Sequence, residues 1–476
     1  MKEELAALTR CSNLLRITVV IVVALLAVSP CQASDASTQA PQAKRGRDAS
    51  CRAETIEYKG WKAEKISNQW VQLIFVPQNG GRLMQVSFNG HDYLFVNPKL
   101  EGKTLPPNED EWFNYGGDKL WLLPEGDDDE QHWRGNSDLI DSGEFHFRNL
   151  SDGNGCAVEL TSPPDSHTGV QLARTVLLDP DSPHITFRAT MKNISGHTLE
   201  WSVQSVSQYD TGNPADPLRR NPNIWGFTAA NPSSEYLNGY HVRTGPVENP
   251  VATIRDDGLF ALHYSHLAAE FWIDSTDGWL AVIDGSNHYA MIERFQYEKQ
   301  QSYPGKASVI FWTNGVHLGF NSEGEPAVRD DRDGPSPFYM EAEINSPMCH
   351  LRPQEACQLQ TDWYPTRADS DFHGATDAGI IVDPLQAVFV ENGKVKLAGS
   401  FGVFFPGKLV AHFYNEHGSS IANVQVADVT PAELVKLNVE AAAQGKPARV
   451  SLHLEDRNGL DRGALAEIPI TPGKTH

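Results

Sequence analysis

Cysteine is scarce in this chain, with six residues in 476. None belongs to a Cys-x-x-Cys pair and no His-rich tract accompanies them, which removes the usual signs of a zinc site. Basic residues are also in the minority, 39 Lys and Arg against 61 Asp and Glu, for a formal charge of −22. A balance of that sign argues against nucleic acid and against an anionic membrane surface as partners, and its plainest role is solubility. Long apolar runs are lacking too. The run Ile17–Val28 has about a dozen residues, too few to cross a bilayer comfortably. Beyond it no window of about fifteen residues keeps an apolar period of 3.6, so the pattern turns away from helices. No G-x-S-x-G, P-loop or dinucleotide-binding glycine fingerprint stands in a credible context, and nothing signals a cofactor.

What is present begins with an export signal. Lys2, Arg10 and Arg16 precede the apolar run, Ser29-Pro30 breaks it, and Cys31-Gln32-Ala33 offers small residues for a signal peptidase. This pattern predicts a signal peptide over 1–33, cleaved after Ala33, and hence a periplasmic or secreted protein with no membrane attachment after cleavage. Residues 34–52 are small and polar and read as a disordered leader. The mature chain then keeps four cysteines, Cys51, Cys156, Cys349 and Cys357, and an even count in an oxidising compartment suggests disulfides. Cys349 and Cys357 flank a turn between two strand ends and could face each other; Cys51 with Cys156 would follow by exclusion.

Short alternating segments separated by turn residues dominate the rest. Trp70–Val76 ends at Pro77-Gln78-Asn79-Gly80-Gly81, and Asn89-Gly90 makes a hairpin turn. Further strands are expected at 169–178, 185–192, 199–207, 270–273, 279–283, 290–295 and 307–312. This spacing predicts an all-β chain built on a large antiparallel sandwich. A polar stretch, 365–376, marks a boundary. Beyond it, 377–476 holds about seven short strands, the pattern of an immunoglobulin-like sandwich. Within it Pro431–Gln444 reads either as a helix capped by Thr430 or as a strand.

The densest chemistry lies in Trp112-Phe113-Asn114-Tyr115-Gly116-Gly117-Asp118-Lys119-Leu120-Trp121, followed by Glu125, His132 and Trp133. Sugars want this mixture, since their C–H faces stack on aromatic rings and their hydroxyls need paired donors and acceptors. The plainer reading is a core strand with Trp121 inside and a turn at Gly116-Gly117. A second candidate is Glu341-Ala342-Glu343, because residues at i and i+2 of a strand share a face and paired carboxylates raise each other's pKa. The plainer reading there is a solvated strand face. Gln204 and Gln208 are further candidates for lining a site. The acidic run 127–130 could hold Ca²⁺ but reads first as a solvated loop, so no metal is expected.

Asn79-Gly80-Gly81-Arg82-Leu83 with Asn89-Gly90-His91-Asp92 resembles the opening hairpin of galactose-mutarotase-like (aldose-epimerase-like) domains. Asn114-Tyr115-Gly116-Gly117-Asp118-Lys119-Leu120-Trp121, Asn193-x-Ser195, Tyr303-Pro304-Gly305, and Glu341-x-Glu343-x-x-Ser346-Pro347 with Leu351-x-Pro353-x-Glu355 resemble a group of uncharacterised bacterial proteins in that superfamily. The resemblance spans about 57–366 and implies a galactose-mutarotase-like sandwich over 53–366. It implies Glu341 as the base acting on an anomeric hydroxyl. The general-acid His that the superfamily carries is expected on 199–207, where Ser202, Gln204 and Ser205 stand instead.

Three functions follow as expectations. The first is a carbohydrate-binding protein, with Trp112, Tyr115, Trp121 and Trp133 stacking on a mono- or oligosaccharide. Its polar contacts would come from Arg82, Asn114, Asp118, Lys119, Gln204, Gln208, Glu341 and Glu343. The second is an epimerase, lyase or hydrolase on the same site, with Glu341 as base and Lys119 or His132 as acid. The third is a structural or adhesion module, favoured if the Trp112–Trp121 residues are buried in the core.

Overall fold

The structure is a computed structural model that describes residues 51–126, 131–136, 138–151, 155–246, 249, 251–320, 326–329, 337–390, 393–443 and 445–472. The expected signal peptide, most of the expected leader and the acidic run 127–130 lie outside the described residues. Among the described residues, regular structure is almost entirely β. No helix there is long and apolar enough to cross a membrane.

The alternation in the sequence becomes strands with one dry and one wetter face. In Val170–Leu178 every second residue is buried. At the expected hairpin, Asn89 and Gly90 take φ of 51° and 80°, the left-handed pair that a tight hairpin turn needs. They return Arg82–Phe88 onto His91–Asp92.

Two antiparallel sheets, one of 12 strands and one of 10, form the large sandwich. Its core lies between them, with Leu73, Phe75 and Val86 from the first sheet meeting Val158, Leu172 and Phe187 from the second. Among the described residues the first strand is Arg52–Tyr58, and its first residue belongs to the stretch read as leader. Cys51 beside it is bonded to Cys156, with Cα atoms 5.2 Å apart. Cys349 pairs with Cys357 across its turn, at 6.4 Å between Cα atoms.

Six strands of the 12-stranded sheet build one continuous outward face: β1 (Asp118–Leu123), β2 (Leu199–Asp210), β3 (His241–Thr244), β4 (Ala269–Ile273), β5 (Val309–Thr313) and β6 (Tyr339–Asn345). They lie side by side in the order β1-β2-β6-β5-β4-β3. On β6 every residue is buried, although only Met340, Ala342 and Ile344 belong to the core between the sheets. Glu341 and Glu343 point the other way, so something other than the core covers them.

The second sandwich has a three-stranded sheet, Gly379–Val390, Lys394–Val403 and Val435–Ala442, and a four-stranded sheet, Gly407–Tyr414, Ser420–Val429, Arg449–Asp456 and Asp461–Pro469. That split is immunoglobulin-like. The ambiguous 431–444 segment resolves as the strand Val435–Ala442, because Leu437 and Ala441 alternate into the core. The polar boundary is no loose tether. Ala368, Phe372 and Ala378 are buried in a cluster that joins Phe227, Trp279 and Ile292 of the large sandwich to Phe401 and Leu452 of the small one.

Candidate functional site

The outward face of β1 to β6 carries a cleft of about 630 Å³. Strand register fixes what meets there. Gln208, Glu341, Trp312, Glu270 and Thr244 form one row across five neighbouring strands. Lys119, Val206, Glu343, Ile310 and Trp272 form the next. Residues directly opposite across antiparallel strands share a face and touch. The indoles of Trp112, Trp121, Trp272 and Trp312 line the cleft, together with Glu125 and Arg243.

The two carboxylates on β6 are each held by an amide. Gln208 Nε2 donates to Glu341 Oε1 at 2.5 Å, and Gln204 Nε2 donates to Glu343 Oε2. Both acids are 7% exposed. Burial pushes the Glu343 carboxyl well above the carboxylate range, and the nearby Glu341, Glu270 and Glu125 push it further. Burial raises Glu341 as well, but Lys119 and the Gln208 amide oppose the shift. Neighbouring carboxylates with unlike surroundings are one way a site separates an acid from a base.

Lys119 sits at the wall. Its Nζ lies 3.6 Å from the centre of the Trp121 ring and 5.1 Å from that of Trp112, and it has no hydrogen-bond partner among the described residues. Burial brings the ammonium down to about 8, while Glu341 and Asp141 work the other way. Trp121 is fixed in turn, since its Nε1 donates to Asp141 Oδ1 at 2.9 Å. Burial works against the Asp141 charge, yet Arg82, Lys119 and the hydrogen bonds from Trp121 and Ser142 outweigh it and hold that carboxyl below its ordinary value.

At the far end, Arg243 lies 5.1 Å above the Trp272 ring and 3.3 Å from Glu270 Oε1. Trp272 Nε1 donates to Glu270 at 2.6 Å. Tyr303-Pro304-Gly305 supports this end, because Gly305 takes φ of 53° and packs its backbone where any Cβ would strike the Trp272 ring.

Of the residues singled out in the sequence, Trp112, Trp121, Gln204, Glu341 and Glu343 line the cleft; Gln208 and Lys119 support it from the wall and floor. The others stand elsewhere. Arg82 is fully buried and paired with Asp141 at 2.7 Å. Asp118 is buried against Arg174 and Ser207, between the sheets. Tyr115 is buried in a side cluster with Trp61 and Met84, its hydroxyl accepting from the Leu105 N–H. Trp133 is core, donating to Asp138 at 2.7 Å. Asn114 shapes the turn, accepting from the Gly116 N–H, and Gly116 is required there because a Cβ would collide with the Phe95 carbonyl. His132 is half-buried beside Gly126 and is not one of the lining residues. Sequence reasoning missed Arg243, Glu270, Trp272 and Trp312, and it named Glu125 in the dense stretch without giving it a role. For Glu270/Trp272 and Ile310/Trp312 the signal was their i, i+2 spacing on expected strands, the same signal that picked out Glu341/Glu343. No group of three or more metal-ligating side chains converges among the described residues.

No family model and no curated protein matches the chain. Among solved structures, a galactose mutarotase-like protein from Clostridium acetobutylicum covers 67% of this chain and 98% of its own, at 11% identity and a TM-score of 0.42. One from Lactobacillus casei covers 66% and 100%, at 12% identity and 0.41. A Synechocystis protein covers 66% and 99%, at 9% and 0.42. At this level the likeness concerns the course of the backbone only.

Proposed function

We propose that this chain is an exported carbohydrate-binding protein whose site is the cleft over β1 to β6. The observation that carries the reading is the pairing of Glu341 and Glu343 on the floor of a cleft lined by four indoles. Two carboxylates held by side-chain amides offer fixed acceptors for hydroxyls, and the indoles offer the flat apolar faces that sugar C–H groups pack against. The motif resemblance to galactose-mutarotase-like domains leans the same way. Export is supported by the apolar run at 17–28 and by two disulfides, which persist in oxidising compartments. The structural-module reading loses ground because Trp112 is 42% exposed and both Trp112 and Trp121 line the cleft.

The test is a glycan array followed by calorimetry on the chain from residue 34. Binding of some sugar at or below millimolar Kd is expected, with a loss of about tenfold or more in Glu341→Gln if the carboxylate accepts hydroxyls. Silence across the array at millimolar concentration sinks the proposal.

A second reading, catalysis at the same site, draws on the contrast between Glu343, pushed well above the carboxylate range by burial and three neighbouring acids, and Glu341, which faces Lys119. In an epimerase of this kind Glu341 would take the anomeric proton, and Glu343 or Lys119 would give one to the ring oxygen. Anomer interconversion followed by NMR decides it. A rate unchanged by Glu341→Gln removes Glu341 as the base.

A further inference from the structure

The cleft is larger than one sugar ring, and its recognition groups are spread across it. Neighbouring strands lie about 4.8 Å apart, and β1, which carries Trp121, is three strands from β5, which carries Trp312. The backbones that carry the two indoles are therefore roughly 14 Å apart across the sheet. A single pyranose stacks on one indole face and cannot reach the other.

The row Glu341–Trp312–Glu270 is complete for one ring. It places an indole between two carboxylates on adjacent strands, so a ring over Trp312 has acceptors on both sides. Trp112 and Trp121 lie outside that row yet line the same cleft. They stand edge to face, 6.4 Å between ring centres, and Trp112 is exposed on its loop. A volume of about 630 Å³ falls within the range of pockets that take drug-sized molecules, well above what a monosaccharide fills.

Charge narrows the class further. Glu125, Glu270, Glu341 and Glu343 line the cleft, against Arg134 and Arg243 with Lys119 at the wall. Arg243 is already engaged by Glu270 and Glu125. A uronic acid or a sulfated sugar would add an anion to acids whose burial and crowding already raise Glu125, Glu341 and Glu343, whereas neutral hydroxyls add none.

Resting on the carbohydrate reading, we infer that the cleft binds a neutral glycan segment of two or more linked sugars, one ring over Trp312 between Glu341 and Glu270 and the next toward Trp121 and Trp112. Trp112 is then the residue that reads length.

Calorimetry with neutral gluco-, manno-, galacto- and xylo-oligosaccharides of one to four units tests this, with oligogalacturonate as the acidic counterpart. In at least one neutral series the affinity rises roughly tenfold between one and three units, the scale of one added stacking contact. Trp112→Ala, an exposed loop change, removes most of that rise and costs the trimer several times more affinity than the monomer. Equal affinity for monomer and trimer overturns the inference while the carbohydrate reading stands. So does an equal loss for both in Trp112→Ala, or tighter binding of oligogalacturonate. Silence from every sugar overturns both.

Discussion

Glu293 offers the sharpest test of how the site sheet is held. It lies on Tyr289–Phe295 of the second sheet, fully buried, and accepts the Tyr209 hydroxyl of β2 at 2.5 Å. Tyr209 directly follows Gln208, the residue that holds Glu341. Burial pushes the Glu293 carboxyl up to about 8, and the nearby Asp118 carboxylate adds to the shift. The folded protein therefore keeps a proton that the unfolded chain releases near its ordinary value of 4.5. The folded state binds the extra proton, so stability is complete below about 4.5 and falls as pH rises toward 8. Each pH unit in that window removes between about 1 and 2 kcal/mol, and the whole window about 5 kcal/mol.

Glu293→Gln keeps the size of the side chain and an oxygen to accept the Tyr209 hydroxyl, but it cannot ionise. Urea unfolding followed by tryptophan fluorescence at pH 5, 6, 7 and 8 reads the effect. The difference in stability between wild type and variant should move in favour of the variant by several kcal/mol from pH 5 to pH 8. Other acids in the chain cancel in that difference. Parallel pH profiles for the two proteins refute the reasoning, because they would mean that Glu293 ionises in the folded state much as it does in the unfolded one.

Two further outcomes follow from the fold. Cys51 and Cys156 are 105 residues apart and Cys349 and Cys357 are 8 apart. Loop-closure entropy then makes the double serine substitution of the first pair cost about 5 kcal/mol and that of the second about 2–3 kcal/mol, measured by denaturant unfolding. Phe372→Ala should lower stability by about 3–5 kcal/mol if the boundary segment is shared core, as its burial against Phe227 and Trp279 indicates; a change within half a kcal/mol would mark a tether.

Much of the fold was legible because a strand with one dry face writes its period into the sequence. Val170–Leu178 and Asn89-Gly90 are read correctly from pattern and turn chemistry alone. Pro431–Gln444 was not, since alternation and helix capping compete there and only Leu437 and Ala441 meeting the core decide between them. The site was half legible. Crowding of aromatic and charged residues over 112–121 located it but did not say which face each side chain takes. Parity does: Asp118, Leu120 and Leu122 turn to the core, while Trp121 and Leu123 turn to the cleft. Glu270, Trp272 and Trp312 belong to strands separated from β1 by more than 100 residues, and they reach the cleft only through a sheet order that runs β1-β2-β6-β5-β4-β3.

Gln204 shows how a single side chain sets the chemistry open to the cleft. The motif resemblance expects a histidine on this stretch, able to give and take a proton near neutral pH. An amide does neither. What it does here is donate to Glu343, supplying a hydrogen bond that a buried carboxyl needs. Gln208 does the same for Glu341 four residues further along β2. The strand thus spends both amides on orienting acids rather than on moving protons. Proton transfer in the cleft is open to Glu341, Glu343 and Lys119, whose surroundings shift them from their ordinary protonation, and to Glu125 and His317, which also line it. A site built this way is ready to bind hydroxyls even if no reaction occurs, which is why binding, and not turnover, is the property to measure first.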